Sequence, residues 1–389
     1  MFFGGDVIYL PLHMSGLYIH IPFCKKRCIY CDFFSDTRTG LISRFTGALC
    51  REIELRVGEL GNTTVSTIYF GGGTPSQLPV ERLNDIFSAL SGYFELDSCL
   101  EITLEANPDD LTSEYISALK DSPVNRISMG VQSFRDEDLV FLNRRHDVSG
   151  ALRAYELCSR AGYDNISIDL IYGLPGQDIR AWNENLRMAV SLSPAHISAY
   201  SLIYEEDTAL YRLRDTGKII ECDEEVYLQM FGSLIDRLTG AGYDHYEISN
   251  FAKNDRYSRH NTSYWQDVPY LGLGPSAHSY DRFSRKWNIS GLMSYIENIE
   301  KGYTVYDTEI IDDDTRYNDM VITSLRTKWG LDLEAVSSNF GEDRRTYCLN
   351  AATRYIEEGL LDYDGRILRL SREGIFVSDG IMSDLLYVL

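Results

Sequence analysis

The sequence predicts an α/β protein. A partial (β/α)6 barrel over residues 14–222 leads through a connecting region, 223–310, to a smaller C-terminal α+β domain of winged-helix-like order over 311–389. Three observations carry this expectation. Short β-rich runs alternate with amphipathic helical stretches through the first half, which gives a parallel sheet with covered faces. Many strand runs end in Gly, Pro or a polar residue where a loop begins, and in a (β/α) barrel those ends line the mouth. Beyond residue 223 the alternation stops, and the last eighty residues read as three helices followed by two short strands.

The strands are expected at Leu17–Pro22, Thr67–Phe70, Glu101–Glu105, Arg126–Gly130, Asn165–Tyr172 and His196–Ile203, each rich in β-branched or aromatic residues. Amphipathic stretches near 41–60, 80–93, 112–121, 149–161 and 178–192 supply the crossover helices. Glu224–Leu238 reads as a further helix and is followed by a segment dense in Tyr, Asn and His, 246–280. In the C-terminal domain helices are expected from Thr315, near Leu333–Asn339 and over Tyr347–Glu358, and a hairpin turns at Asp364-Gly365. The acidic run Asp312–Asp314 reads as a cap for the helix at Thr315 rather than as a cation site.

Composition narrows the function classes. The 389 residues carry a net charge of −21, and 44% are hydrophobic. A surface of that sign repels phosphate backbones and anionic lipid, so nucleic acid is not an expected partner. Residues 310–389 hold nine Lys/Arg against fifteen Asp/Glu, so the winged-helix order there points to a structural or substrate-covering module and not to DNA. No apolar run is long enough to span a bilayer, and a cytoplasmic location is expected. The apolar N-terminus lacks a basic start and a cleavage site, so it does not read as a signal peptide. Met14, directly before SGLYIH, reads as the natural start, with residues 1–13 an extension.

Three of the eight cysteines stand in CKKRCIYCDFF, residues 24–34, at the spacing C-x3-C-x2-C. The other five, Cys50, Cys99, Cys158, Cys222 and Cys348, are scattered and read as small buried hydrophobes. Structural zinc usually takes four ligands in two pairs, and no second pair exists. Cys24, Cys28 and Cys31 can instead hold three corners of a [4Fe–4S] cube and leave the fourth iron open. The Lys25–Arg27 insert is expected to favour thiolate formation there. GLGPSA, 272–277, fits a dinucleotide fingerprint but lacks the strand–turn–helix setting that would make it one.

The cysteine motif, with Tyr30 before its last cysteine, resembles the radical S-adenosylmethionine (SAM) superfamily. YIHIPFCKKRCIYCDF, GGGTPS, EANPDDL, SMGVQSF, LNRRH, IDLIYGLPGQ and RHNTSYW…YLGLGPSAHSY narrow the resemblance to the branch holding oxygen-independent coproporphyrinogen III dehydrogenase (HemN) and the heme chaperone HemW. It covers roughly residues 16–389. It implies a TIM-like radical SAM barrel in which SAM chelates the open iron and is cleaved reductively to methionine and a 5′-deoxyadenosyl radical. It further implies that Tyr18, Gly72, Gly73, Thr74 and Glu105 serve SAM, and that Gln132, Arg144 and Asp169 match positions that contact a second SAM in HemN.

Two departures separate the chain from the dehydrogenase. Phe33 stands where HemN has a further cysteine, and only 23 residues precede the first cluster cysteine. Both match HemW. The resemblance therefore implies a heme-binding chaperone that passes heme to hemoproteins such as respiratory enzymes, with an electron donor such as flavodoxin or ferredoxin. The alternatives are coproporphyrinogen III dehydrogenation, which the departures disfavour, and radical SAM chemistry on another substrate. Among heme ligands, His260 in RHNTSYW is the first candidate, since its segment suits a flat macrocycle; His20, His146 and His278 are weaker.

Overall fold

The structure, a computed structural model, describes residues 14–61 and 64–388. The expectation that residues 1–13 are an extension lies outside the described residues. Strands β1 (Met14–Ile21), β2 (Thr64–Gly72), β3 (Glu101–Ala106), β4 (Arg126–Gln132), β5 (Ile166–Tyr172) and β6 (His196–Ser201) pair in that order, all parallel. Between them run α1 (Ile42–Arg56), α2 (Val80–Ser91), α3 (Ser113–Leu119), α4 (Asp136–Phe141), α5 (Val148–Arg160) and α6 (Ile179–Leu192).

A period of two along each strand decides what faces where. Leu17, Ile19 and Ile21 of β1, Ile68 and Phe70 of β2, Ile102 and Leu104 of β3, and Ile127 and Met129 of β4 are buried in the one large apolar core, under the helices. The alternate positions are polar: Tyr18 and His20, Thr67 and Tyr69, Glu101 and Glu105, Arg126 and Ser128, Ser167 and Asp169, His196 and Ser198. The inner face of this barrel is therefore a polar surface that must satisfy its own groups.

After α7 (Ala209–Asp215) and α8 (Glu224–Gly240), the segment read only as Tyr/Asn/His-rich folds into further strands. β8 (Asn250–Ala252) pairs antiparallel with β6 and β7 (Asp244–Glu247) antiparallel with β8, and α9 (Arg259–Trp265) follows. β9 (Tyr270–Leu273) runs parallel to β1 on the opposite edge. β10 (His278–Tyr280), β11 (Ser284–Asn288), α10 (Leu292–Glu300) and β12 (Tyr306–Ile310) complete a sheet of twelve strands among the described residues. These strands are short and carry few β-branched residues, so local pattern did not mark them. GLGPSA is a strand end and a turn: a Cβ on Gly272 would lie 1.9 Å from His278 O, and one on Gly274, at φ +97, would lie 2.5 Å from His20 O. Close packing of backbones accounts for both glycines.

The C-terminal part comprises α11 (Asp313–Leu325), β13 (Leu331–Asp332), α12 (Leu333–Phe340), α13 (Glu342–Glu357), β14 (Leu361–Tyr363), β15 (Ile367–Leu370), α14 (Arg372–Ile375) and α15 (Ser378–Leu385). It has its own core, including Tyr317, Val321, Leu333 and Leu368, and its own three-stranded sheet. Asp312 caps α11 as expected, accepting from Thr315 N–H at 2.8 Å. α13 starts at Glu342, five residues before its expected start, because Gly341 at φ +91 ends the previous helix and Glu342 and Asp343 suit a helix N-terminus. Arg326 docks the domain on the sheet by donating to Glu247 Oε1 from Nε (3.1 Å) and Nη2 (2.8 Å).

One carboxylate ties the sheet to α9. Glu101 accepts the N–H groups of Arg259 and His260 at 3.0 Å each and stands 3.9 Å from the buried Arg126. Glu101→Ala would uncap α9 and leave that guanidinium without its nearest counter-charge. Breaking a buried pair in this way costs about 3–5 kcal/mol, so the variant is expected to unfold at markedly lower urea concentration than the parent; an unchanged midpoint would contradict the assignment.

Candidate functional site

The cysteine loop follows β1 at the C-terminal edge of the barrel, and neighbouring segments hold it from several sides. Cys24 N–H donates to Asp36 O (3.0 Å) and Asp36 N–H to Pro22 O (2.6 Å), pinning the two arms together. Ile29 N–H reaches Leu142 O (3.3 Å), Asn143 Nδ2 reaches Arg27 O (2.7 Å), and Leu210 N–H reaches Ile29 O (2.8 Å). Tyr30 packs against Leu142, Ile171 and Leu174.

Cys24 is buried, and Cys28 and Cys31 are half-buried. Cys24 Sγ lies 3.3 Å from Thr74 Oγ1, and Arg144 Nη1 donates to Cys28 Sγ at 3.2 Å. Burial raises the Cys24 thiol and pushes Cys31 up to about 11, and the nearby Cys28 sulfur adds to both. The expected help from the Lys25–Arg27 insert is not what the structure shows. All three side chains are exposed, and Lys25 turns to Asp110 (3.2 Å). The cation on the thiols is Arg144, since a run of charges on a loop apex keeps to water. Among the described residues no three His, Cys, Asp or Glu side chains converge on one metal-ion position. A donor set of three thiols along one tight loop suits a multi-iron cluster, which takes one thiolate per iron. None of the five scattered cysteines is in a disulfide; Cys158 and Cys348 are buried and the others half-buried.

β2 ends at Gly71-Gly72, and Gly73-Thr74 continue the chain beside this loop. Gly72 has φ +105, and a Cβ there would lie 2.5 Å from the His20 ring; one on Gly73 would lie 2.8 Å from the Pro22 carbonyl carbon. The glycines thus let the end of β2 close onto the start of the cysteine loop, and Gly73 N–H donates to Ile21 O at 2.9 Å. His20 is locked between Phe34 O (2.9 Å from Nε2) and Tyr18 OH (3.1 Å from Nδ1). Burial pushes its pKa down to about 4, so it stays neutral, donating to Phe34 and accepting from Tyr18.

Inside the barrel Tyr69 OH donates to Glu105 Oε1 at 2.7 Å and stacks on Tyr18 at 6.3 Å. Burial pushes Glu105 up to about 7, opposed by the Tyr69 hydrogen bond and assisted by the nearby Asp169. Burial likewise pushes Asp169 up to about 6, against the Arg126 charge and hydrogen bonds from Ser198 and Ser128. Those groups are the partners that a carboxylate in an apolar run required. Gln132 ends β4 at φ +70 after a bulge, with Nε2 2.9 Å from where a Gly130 Cβ would sit. Arg144 is half-buried and donates to Gly130 O (2.7 Å) and Asn107 Oδ1 as well as to Cys28. Gln132 and Arg144 therefore meet beside the cysteine loop, while Asp169 lies deeper with Arg126.

His260 lies elsewhere. It is fully buried, and its Nδ1 pairs with Thr67 Oγ1 (2.9 Å) and its Nε2 with Tyr264 OH (2.8 Å). Its ring stacks on Tyr69 at 5.1 Å and lies against Gly16. Gly16 and Thr67 belong to the N-terminal halves of β1 and β2, so α9 plugs the barrel floor, opposite the cysteine loop. With both ring nitrogens engaged, His260 has no free lone pair for iron, and the heme-ligand expectation finds no support here. Burial pushes it down to about 3, with the Arg126 charge adding to the effect. Sequence reasoning missed Arg126, Tyr69 and Asn107; the inward parity of Arg126 with Ser128 and of Tyr69 with Thr67 was the available signal.

Residues 18–189 match the radical SAM superfamily and residues 311–377 the HemN C-terminal domain. The chain is 33% identical, over 93% of its length and 96% of the relative's, to the heme chaperone HemW of Bacillus subtilis. It is 31% identical, over 96% of its length and 87% of the relative's, to radical S-adenosyl methionine domain-containing protein 1, mitochondrial, of Mus musculus. Its fold is similar to coproporphyrinogen III oxidase (HemN) from Escherichia coli, a radical SAM enzyme, with a TM-score of 0.83 at 24% identity, covering 97% of this chain and 90% of that one. No helix among the described residues is long and apolar enough to cross a membrane.

The raised Glu105 gives a signed prediction. A carboxyl whose folded pKa of about 7 exceeds its unfolded value binds more protons when folded, so stability falls as pH rises from about 4.5 through 7. Glu105→Gln mimics the neutral form. Its melting temperature is expected to gain on the parent's from pH 5 to pH 8; a constant difference across that range would show that Glu105 is not buried as described.

Proposed function

The chain belongs to the HemW heme-chaperone family of the radical SAM superfamily, and from that membership we propose that it binds heme and delivers it to hemoproteins, with a [4Fe–4S] cluster on Cys24, Cys28 and Cys31 and SAM at the open iron. The observation that carries this reading is the single loop of three thiols at the C-terminal edge of the barrel, with Arg144 on Cys28.

When bound, the cluster supplies one electron for reductive cleavage of SAM. The chain's own residues do the rest. Thr74 holds the Cys24 sulfur, and Arg144 offsets the charge that develops on Cys28. Gly72 and Gly73 present backbone without side chains where SAM's methionine end would come close. Tyr18 lines that side, and Glu105, an acceptor when ionised, suits ribose hydroxyls or an ammonium. Gln132, Arg144 and Asp169 keep the positions that a second SAM would use. Tyr30 and its apolar neighbours shield one side of the loop from water.

Dehydrogenation of coproporphyrinogen III is the weaker reading, because Phe33, exposed on the loop, stands where that activity's further cysteine is expected. The C-terminal domain fits a covering or structural role: each of its nine Lys/Arg side chains already faces a carboxylate, for example Arg344 to Asp314, Arg369 to Asp364 and Arg372 to Asp236. Recipient hemoproteins and a one-electron donor such as flavodoxin or ferredoxin complete the proposal.

Anaerobically reconstituted protein tests it. The parent is expected to hold an oxygen-sensitive [4Fe–4S] chromophore that Cys28→Ala loses, to bind heme, and to transfer it to an apo-hemoprotein. Turnover of coproporphyrinogen III to protoporphyrinogen IX, or zinc in place of iron, would overturn this reading.

A further inference from the structure

Of the six described histidines, five have at least one ring nitrogen hydrogen-bonded. His20, His196 and His260 have both ring nitrogens hydrogen-bonded. His146, buried, donates from Nε2 to Val131 O (3.1 Å), and its Nδ1 is enclosed by protein; His245 donates from Nε2 to Ile248 O (3.0 Å) while stacked on Phe251. His278 differs from all of them. It is exposed, and neither of its ring nitrogens has a hydrogen-bond partner among the described residues.

The position of His278 is as distinctive as its freedom. It opens β10, directly across from Trp287 of β11, whose ring lies nearly parallel to the imidazole with centroids 6.0 Å apart. That contact holds one face of the ring and leaves both nitrogens at its edge clear. The backbone of His278 packs where a Gly272 side chain would be, and Gly272 is level with Tyr18 in β1. His278 is near enough to His20 that a proton on one disfavours a proton on the other. It therefore stands two strands from β1, across β9, level with Tyr18 and two residues short of His20, from which the chain leads into the cysteine loop. Partial burial and the Arg285 charge lower its pKa, so the imidazole is neutral near pH 7 with a lone pair available. The Arg285 charge is itself answered by Asp319 and Glu309 (3.6 Å).

We infer that His278, held by Trp287 two strands from β1, is the axial ligand through which the chain takes heme iron. The inference rests on the heme-chaperone reading and names the ligand that reading leaves open.

The test loads the reconstituted full-length protein with ferric heme and compares the parent, His278→Ala and His260→Ala by absorption and EPR spectra. His278 is exposed, so its variant is expected to keep the parent's melting temperature and cluster absorbance. It should lose the histidine-ligated heme signature and bind heme about tenfold or more weakly, and added imidazole should restore the signature in His278→Gly. His260→Ala should keep the signature in whatever fraction folds. An unchanged spectrum and affinity in His278→Ala would overturn the ligand assignment and leave the chaperone reading standing, whereas a parent that binds no heme would overturn both.

Discussion

The whole barrel is organised by the need to satisfy a polar inner face in a place water barely reaches. Arg126 is the centre of that problem: it is almost fully buried, and its Nε and Nη1 have no hydrogen-bond partner among the described residues. Glu101 stands across from it, Asp169 and Glu105 feel its charge, and His260 is kept neutral partly by it. A lone buried guanidinium would be prohibitive, and so would the carboxylates without it. Glu101 then spends both its oxygens on the first N–H groups of α9, which makes the barrel floor and its charge balance one structure.

That arrangement separates two ends of the barrel with different work. The floor is closed by α9, whose His260 stacks on Tyr69, and Tyr69 in turn holds Glu105. The mouth carries the thiols, the glycine turn and Arg144. The motif RHNTSYW, attractive for heme because it is rich in flat rings, is in this geometry a plug that supports the cofactor side from below. The imidazole proposed to meet iron is instead at the start of β10, directly after the turn whose glycines first suggested a nucleotide.

The glycine turn teaches a similar caution about motifs. Gly72 and Gly73 are required even without a ligand, because His20 and the Pro22 backbone occupy the space of a side chain. Backbone that approaches a neighbouring loop this closely is also exposed to whatever that loop binds, so the packing requirement and the proposed SAM contact are compatible. The cation beside the thiols follows the same logic. It was sought in the adjacent Lys25–Arg27, and it comes from Arg144, 116 residues away in the chain.

The sequence by itself determined the alternation of strand and helix, the six parallel strands, the winged-helix order of the C-terminal domain and the cysteine loop, because each is written in local periodicity or short spacing. The β-rich runs began or ended within three residues of the observed strands, and Asp312 capped its helix as read. Only the tertiary structure decided which polar residues meet. Arg144 on Cys28, His260 on Thr67 and Glu101 on α9 join segments more than a hundred residues apart, and no local pattern encodes such a pairing. The added strands β7 to β12 were hidden for a related reason: they are short, and their place is fixed by the sheet edges they complete. Whether a histidine is a ligand or a bolt depends on the atoms around its two nitrogens, and those atoms arrive only when the chain has folded.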